Sequence, residues 1–155
     1  MPISGEAFRR DTATSNCYRL MAQDGLDLIR GGVAALNRRD IDGMLATLHP
    51  DVLLEPLRAV HDGTVYKGHQ GLRDWLTDME EDWEYQRVEV VELHAPQPDR
   101  IVLEAVLHVR YRVSGVEVAA PGAWLCRLRD GAITRITFFG DVEGALEAAN
   151  AGEPP

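Results

Sequence analysis

The chain has 155 residues, of which 45% are hydrophobic, and a formal net charge of -9. That length suits one domain with a substantial core, and the acidic charge argues against nucleic acid or an anionic membrane as a partner, because both bind basic surfaces. No run approaches the roughly 18 apolar residues of a membrane helix, and no apolar segment follows the first charges, so we expect a cytoplasmic protein.

The first part of the chain is predicted to be helical after a flexible N-terminal extension, residues 1–20, where polar and charged residues mix without a period. A first helix is expected over Met21–Arg38, in which apolar residues recur at helical spacing and Asp24 can act as a cap. Gly31 and Gly32 in its middle each cost about 1 kcal/mol relative to alanine. We therefore expect close packing or room for a ligand at this pair.

Two further helices and a short strand are predicted next. A helix over Ile41–Leu48 has Asp40 as its N-cap and ends at a histidine-proline pair. A short strand, Val52–Glu55, is followed by a loop over residues 57–67. The third helix, Gly68–Trp83, carries large apolar side chains along one side. They are Leu72, Trp75, Leu76, Met79 and Trp83.

The second half of the chain changes to a two-residue period, which is typical of strands. The predicted strands are Gln86–His94, Ile101–Val113, Val116–Ala120, Ala123–Arg129 and Ile133–Phe139. A closing helix, Val142–Ala149, begins after Asp141. Helices followed by an antiparallel sheet predict an α+β domain with the helices gathered on one face of the sheet.

The strand Ile101–Val113 has the most regular alternation, with an apolar residue at every odd position. Because successive side chains of a strand point to opposite faces, the odd residues, among them Leu107, Val109 and Tyr111, should face the core. The even residues should then face solvent or a second subunit. They include Glu104, His108, Arg110 and Arg112.

Three segments resemble one protein family: LNRRDIDGMLATLHPDV, YKGHQGLRDWL and LCRLRDGAITRITFFGDVEGALEA. Together they are similar to the SnoaL-like branch of the nuclear transport factor 2-like superfamily over about residues 24–149. The resemblance implies a cone-shaped, strongly curved antiparallel sheet wrapped over three N-terminal helices, with an apolar pocket at the open end. It also implies a domain over residues 21–150, followed by a tail, residues 151–155.

The resemblance leaves the function open between several classes. The family includes polyketide cyclases, ketosteroid isomerases, epoxide hydrolases and dehydratases, as well as non-catalytic binding or dimerising modules, and its members are commonly homodimers through the outer sheet face. We therefore expect a hydrophobic, cyclic or polyketide-like small molecule and a second copy of the chain as partners. A cofactor-independent acid/base enzyme, a non-catalytic carrier and a dimerising module all remain open.

Glu55 is the leading candidate for acid/base chemistry. It shares one face of its short strand with Leu53, so if Leu53 points into the pocket, Glu55 does too. An apolar site raises the pKa of a carboxyl group toward neutrality, where it can transfer protons. The resemblance supports this choice, because ketosteroid isomerases keep an aspartate base directly before a proline, as in Glu55-Pro56. A carboxylate that reaches water at the rim is the alternative.

The remaining parts of an isomerase site are missing. The resemblance places Gly32 and Ala123 where those enzymes carry a tyrosine and a second acid. An enolate would lack stabilisation without these donors, so a typical ketosteroid isomerase is not expected. Tyr111, Tyr66 and His61 are the candidate proton donors instead, with a solvated loop side chain as the alternative for His61.

Contacts to a ligand are expected from side chains around the pocket: Leu53, Tyr66, Trp75, Met79, Leu107, Val109, Phe138 and Asp141. Trp75 could stack on a ring-shaped ligand or simply pack in the core. Trp124 could do the same, or could lie on the outer face with Cys126. Asp141 is either a helix N-cap or an acid of a cyclase-like site.

No cofactor or metal site is expected from the sequence. The glycines match neither a dinucleotide nor a phosphate-loop motif. The histidines lack the i, i+4 spacing of a helical metal site. Cys17 and Cys126 stand in unrelated contexts and are interpreted as reduced thiols rather than a disulfide.

Overall fold

In the computed structural model of the protein, the described residues are 22–57 and 59–151, and the side chains of Val60 and His61 are not described. The predicted extension, residues 1–20, therefore lies outside the described residues, as do residues 152–155 of the predicted tail. Among the described residues, no helix is both long and apolar enough to span a membrane.

The helices begin with α1, whose described part is residues 22–37. The others are α2 (Ile41–Leu45), α3 (Ala59–Asp62), α4 (Gly68–Asp82) and α5 (Val142–Asn150). The strands are β1 (Leu48–Glu55), β2 (Tyr66–Lys67), β3 (Trp83–Gln97), β4 (Arg100–Tyr111), β5 (Glu117–Arg129) and β6 (Ala132–Phe139). Asp40 caps α2 as predicted, because its side chain accepts a hydrogen bond from the Gly43 amide at 3.0 Å. Asp24 lies inside α1 and so does not cap it.

The strands form one sheet in the order β2-β1-β6-β5-β4-β3. Neighbouring strands are antiparallel except β1 and β6, which are parallel. The sheet is therefore antiparallel as predicted except at this pair. The chain leaves β1, forms β2 and α4, and returns from the far edge through the meander β3 to β6, so β6 arrives beside β1 in the same direction.

Each face of the sheet packs against helices. The inner face, defined by Leu54, Leu103 and Ile133, forms the main core with α1, α2 and α4. On the outer face, a smaller cluster joins the sheet to α5. Its members are Val102, Ala123, Leu125, Ala145 and Ala149. The N-terminal helices are gathered on one face as predicted, whereas α5 lies on the other.

Several element boundaries differ from the predictions for local reasons. The two strands predicted around Pro121 are one strand, β5, in which Pro121 pairs with Val106 of β4. The proline is tolerated because β6 ends at Phe139 opposite Ala123, so β5 has no second neighbour at Pro121 that would need its N–H. The predicted end of the second helix, around His49, lies instead within β1.

Candidate ligand cavity

Two adjoining chambers lie between the helices and the inner face of the sheet. The inner chamber has a volume of about 60 Å³ and a wall that is almost wholly apolar. The outer chamber has a volume of about 380 Å³, within the range of small-molecule sites. Four side chains line both chambers, namely Leu36, Trp75, Trp124 and Phe138.

Aromatic rings form the partition between the chambers. Trp124 and Phe138 are partners on β5 and β6, and their rings stack with centroids 4.8 Å apart. Trp75, from α4, meets Phe138 edge-on at 5.9 Å. Such stacked and edge-on pairs are the favoured aromatic geometries. Trp124 and Cys126 therefore lie on the inner face, and the alternative that placed them on the outer face is wrong.

The outer chamber carries a hydrogen-bonded pair in its wall. Tyr66 Oη donates to Asp78 Oδ2 at 2.7 Å. Gly71 makes this approach of α4 to Tyr66 possible, because a Cβ at Gly71 would lie 2.9 Å from the Tyr66 carbonyl carbon. Asp82, one helical turn beyond Asp78, lines the same chamber.

Gln86 is the one buried polar residue in the described core, with 7% of its surface exposed. It lies on β3 and lines the outer chamber, close in sequence to the buried Val88. Its Nε2 has no hydrogen-bond partner among the described residues. A buried unsatisfied donor costs about 1–3 kcal/mol, so this amide is placed at the expense of stability.

The inner chamber has no strong acid, base or nucleophile among its described lining residues. Burial raises the pKa of the Cys126 thiol to about 12, which keeps it protonated and unreactive at neutral pH. Gly32 also lines this chamber, and a Cβ there would lie 3.2 Å from Thr47 Oγ1. The missing side chain at Gly32 therefore allows close packing beside the chamber.

The structure places only some of the predicted contact residues on these walls. Tyr66, Trp75, Met79, Leu107 and Phe138 line the outer chamber. The other three predicted contacts lie elsewhere.

Leu53 lies in a surface cleft with His49 and Arg135, and Val109 lies in a groove with Arg87 and His108. The Asp141 side chain accepts a hydrogen bond from the Gly144 amide at 2.7 Å, so Asp141 is the N-cap of α5. These placements exclude Leu53, Val109 and Asp141 from the walls of the two chambers.

Glu55 faces away from the cavity. Leu54 pairs with Ile136 on the inner face, so Glu55, paired with Thr137, points to the outer face. Its carboxylate accepts two hydrogen bonds from Arg135, at 2.7 and 2.9 Å, and one from Thr137 at 2.8 Å. The Arg135 bonds, aided by Thr137, hold the pKa of Glu55 below its ordinary value despite partial burial. The expectation that Glu55 lines the pocket is wrong.

Tyr111, another predicted catalytic residue, is not among the described lining residues of either chamber. Tyr111 is 40% exposed at the end of β4, where its ring meets Trp83 edge-on at 6.4 Å. It therefore supports a wall of the outer chamber from outside. The side chain of His61 lies outside the described part of the chain, and its backbone belongs to α3.

Sequence reasoning missed three polar residues of the outer chamber. Asp78 and Asp82 recur at helical spacing after Trp75, so the pattern of α4 could have placed them on the same face. Gln86 stands two positions before the buried Val88, and a polar residue in that alternation is a detectable signal.

One group of donor atoms outside the cavity could be considered for a metal ion. Glu92, His94 and Glu104 each offer an atom within 4.8 Å of the others. His94 Nε2 lies 3.2 Å from Glu104 Oε1, so an ordinary hydrogen bond accounts for the grouping. The group lies apart from both chambers.

Comparison with known proteins supports the fold and the family. The sequence pattern of the SnoaL-like domain matches residues 29–136. The chain belongs to the SnoaL-like family. No curated protein matches the chain.

Solved structures similar to this SnoaL-like chain share its architecture. TerC, co-crystallised with polyporic acid, is 24% identical with a TM-score of 0.69, over 83% of this chain and 99% of its own. A proposed polyketide cyclase from Xanthomonas campestris is 25% identical with a TM-score of 0.68, over 80% and 95% of the two chains. A Mycobacterium tuberculosis protein in complex with estradiol-17β-hemisuccinate is 22% identical with a TM-score of 0.66, over 77% and 95%.

Proposed function

We propose that this SnoaL-like protein binds a hydrophobic ring compound in its outer chamber. The observation that carries the proposal is a cavity of about 380 Å³ whose wall includes five aromatic side chains and the Gln86 amide, whose Nε2 has no hydrogen-bond partner among the described residues. The rings offer flat apolar surface, and the amide offers one hydrogen bond that fixes orientation. An apolar core without a ligand role would gain stability from leucine at position 86.

The structural neighbours give this proposal chemical context. Two of them were solved with ring-bearing molecules, polyporic acid and an estradiol derivative. Both proteins share the fold at low identity, so their ligands indicate a class of molecule rather than a particular substrate.

Calorimetry with 2-tetralone, an uncharged two-ring ketone, tests binding in this chamber. Leu107→Trp should fill space in the outer chamber and weaken binding by at least tenfold, about 1.4 kcal/mol. Val113→Trp is the matched control, because Val113 is 99% exposed and away from the chamber. Equal binding to both variants would show that the ligand sits elsewhere.

The Tyr66–Asp78 pair supports a second proposal, acid/base catalysis in the same chamber. Asp78 accepts from Tyr66 through Oδ2, and its Oδ1 has no hydrogen-bond partner among the described residues. We propose that Asp78 takes a proton from a carbon next to a ligand carbonyl. Gln86 Nε2 donates to the oxygen that becomes negative, and Tyr66 holds the carboxylate in position.

Exchange of carbon-bound protons tests this chemistry without knowledge of the natural substrate. The wild type should accelerate deuterium uptake into 2-tetralone, measured by proton NMR. Asp78→Asn should lower the catalysed exchange rate by about 10²- to 10⁴-fold. Asp74→Asn is the control, because Asp74 is exposed on the same helix, accepts a hydrogen bond from Gln70 and is not among the described lining residues of the chamber. A fully active Asp78→Asn variant would leave ligand binding alone as the function.

We also propose a homodimer through the part of the outer face that α5 leaves uncovered. Val106 and Pro121 are partners there, and exposed Ala119 lies beside His108. Light scattering should give twice the chain mass for the wild type. Val106→Arg should give a monomer, since an unpaired charge is costly in an interface, whereas Val113→Arg should stay dimeric.

A further inference from the structure

The charged side chains among the described lining residues of the outer chamber are all acidic. They are Asp78 and Asp82, and no lysine, arginine or histidine is among the described lining residues. Neither carboxylate belongs to an ion pair among the described residues. Arg112 is not a lining residue, and its guanidinium donates to the Glu80 and Trp83 carbonyls at 2.8–3.2 Å. The described part of the chamber wall therefore carries acidic side chains and no basic ones.

The same wall offers the faces and edges of several aromatic rings. Tyr66, Trp75, Trp83, Trp124 and Phe138 all line the outer chamber. A cation near the face of such a ring is attracted by the electron-rich π-system, most strongly for tryptophan. Aromatic rings together with carboxylates form the side-chain set that binds organic ammonium groups, and they repel a carboxylate or phosphate ligand.

The buried Gln86 amide is an independent sign that this chamber holds a polar ligand atom. It is 7% exposed, and its Nε2 has no partner among the described residues. A neutral amide donor can serve a carbonyl, hydroxyl or ether oxygen without requiring a negative charge. The chamber thus has a donor for a neutral oxygen and carboxylates for a positive group.

We propose that the outer chamber selects a hydrophobic ring compound that carries a positive charge, an amine or a quaternary ammonium, over its neutral and anionic counterparts. This inference rests on the proposed binding function and names the class of ligand. The ring portion lies against Trp124 and Phe138, and the cationic group lies near Asp78 and Asp82.

Three naphthalene derivatives test this charge selection by calorimetry. They are trimethyl(naphthylmethyl)ammonium, its neutral isostere in which carbon replaces nitrogen, and naphthylacetate. The wild type should bind the cation about tenfold more tightly than the isostere, and naphthylacetate most weakly. The preference for the cation should fall as salt is added, because solvent-exposed carboxylates are screened.

Substitutions of the acids separate charge from shape. Asp78→Asn combined with Asp82→Asn should reduce the preference for the cation over the isostere to about twofold. Asp82→Asn alone should give part of this loss, and it leaves the Tyr66–Asp78 hydrogen bond intact. Asp74→Asn should keep the full preference, because Asp74 is not among the lining residues.

The outcomes distinguish the two proposals. Equal binding of the cation and the isostere, or tighter binding of naphthylacetate, would overturn charge selection and leave the binding function standing. Binding of none of the three compounds would overturn both. A cation preference that survives in the doubly substituted variant would also contradict the inference, because the carboxylates would then not be its source.

Discussion

Replacing Gln86 by leucine should make the protein more stable and a poorer binder. Gln86 is 7% exposed, and its Nε2 has no partner among the described residues, so the wild type carries the cost of a buried unsatisfied donor. That cost is about 1–3 kcal/mol, and leucine of similar volume removes it. We therefore expect the free energy of unfolding to rise by about 1–2 kcal/mol.

Urea unfolding followed by tryptophan fluorescence measures this change. Gln70→Leu is the control, because Gln70 is exposed on α4 and its substitution should change stability by less than about 0.5 kcal/mol. Binding of 2-tetralone should weaken in the Gln86 variant, since its hydrogen bond to the ligand is lost. A variant that loses more than about 1 kcal/mol would refute the reasoning, because the amide would then have a stabilising partner in the folded protein.

Three further predictions follow from other parts of the fold. Gly31→Ala should raise the free energy of unfolding by about 1 kcal/mol, measured in urea, because the new Cβ meets no atom within 4 Å. Gly32→Ala should stabilise the protein less, because its Cβ would lie 3.2 Å from Thr47 Oγ1. Equal stabilisation by the two substitutions would contradict close packing at Gly32. Glu55→Gln should lower stability by about 2 kcal/mol at pH 7. The folded-state pKa of Glu55 is lowered, so the stability that its carboxylate contributes is present above about pH 4.3 and is lost as pH falls through the folded-state pKa. The free energies of unfolding of the wild type and the variant should therefore converge between pH 7 and pH 3. A difference that stays constant over this range would contradict a stabilising ion pair. Cys126 should resist iodoacetamide at pH 8 in the folded protein and react after unfolding, as peptide mass spectrometry would show; rapid reaction of the folded form would contradict its burial.

Local periodicity predicted the elements well where one face of each element is buried. The third helix, expected over Gly68–Trp83, is Gly68–Asp82, and the closing helix starts at Val142 as expected. Odd-numbered residues of β4, such as Ala105 and Leu107, face the core as predicted. Side-chain period depends on the backbone geometry of the element itself, so these features can be predicted from neighbouring residues alone.

The orientation of Glu55 could not be predicted in the same way. Alternation places Leu53 and Glu55 on one face of β1, but it does not say which face is inner. That choice depends on the parallel pairing of Leu54 with Ile136, about eighty positions along the chain. The strong partner of Glu55, Arg135, comes from the same distant strand.

The polar residues of the cavity were missed for a different reason. Asp78 lies among exposed charged residues of α4, and only the position of Tyr66 opposite it shows that it belongs to the cavity wall. Gln86 is polar in a strand whose exposed positions are also polar, so burial alone distinguishes it. Such sites depend on tertiary contacts between β2, α4 and β3.

Indole N–H signals in a ¹H–¹⁵N spectrum give the most direct test of the central claim, that the outer chamber holds a small ring compound. Trp75, Trp83 and Trp124 all line this chamber. Titration with 2-tetralone should shift all three indole signals together and leave the amide of exposed Val113 unchanged. Saturable binding that leaves the three indole signals in place would contradict the account.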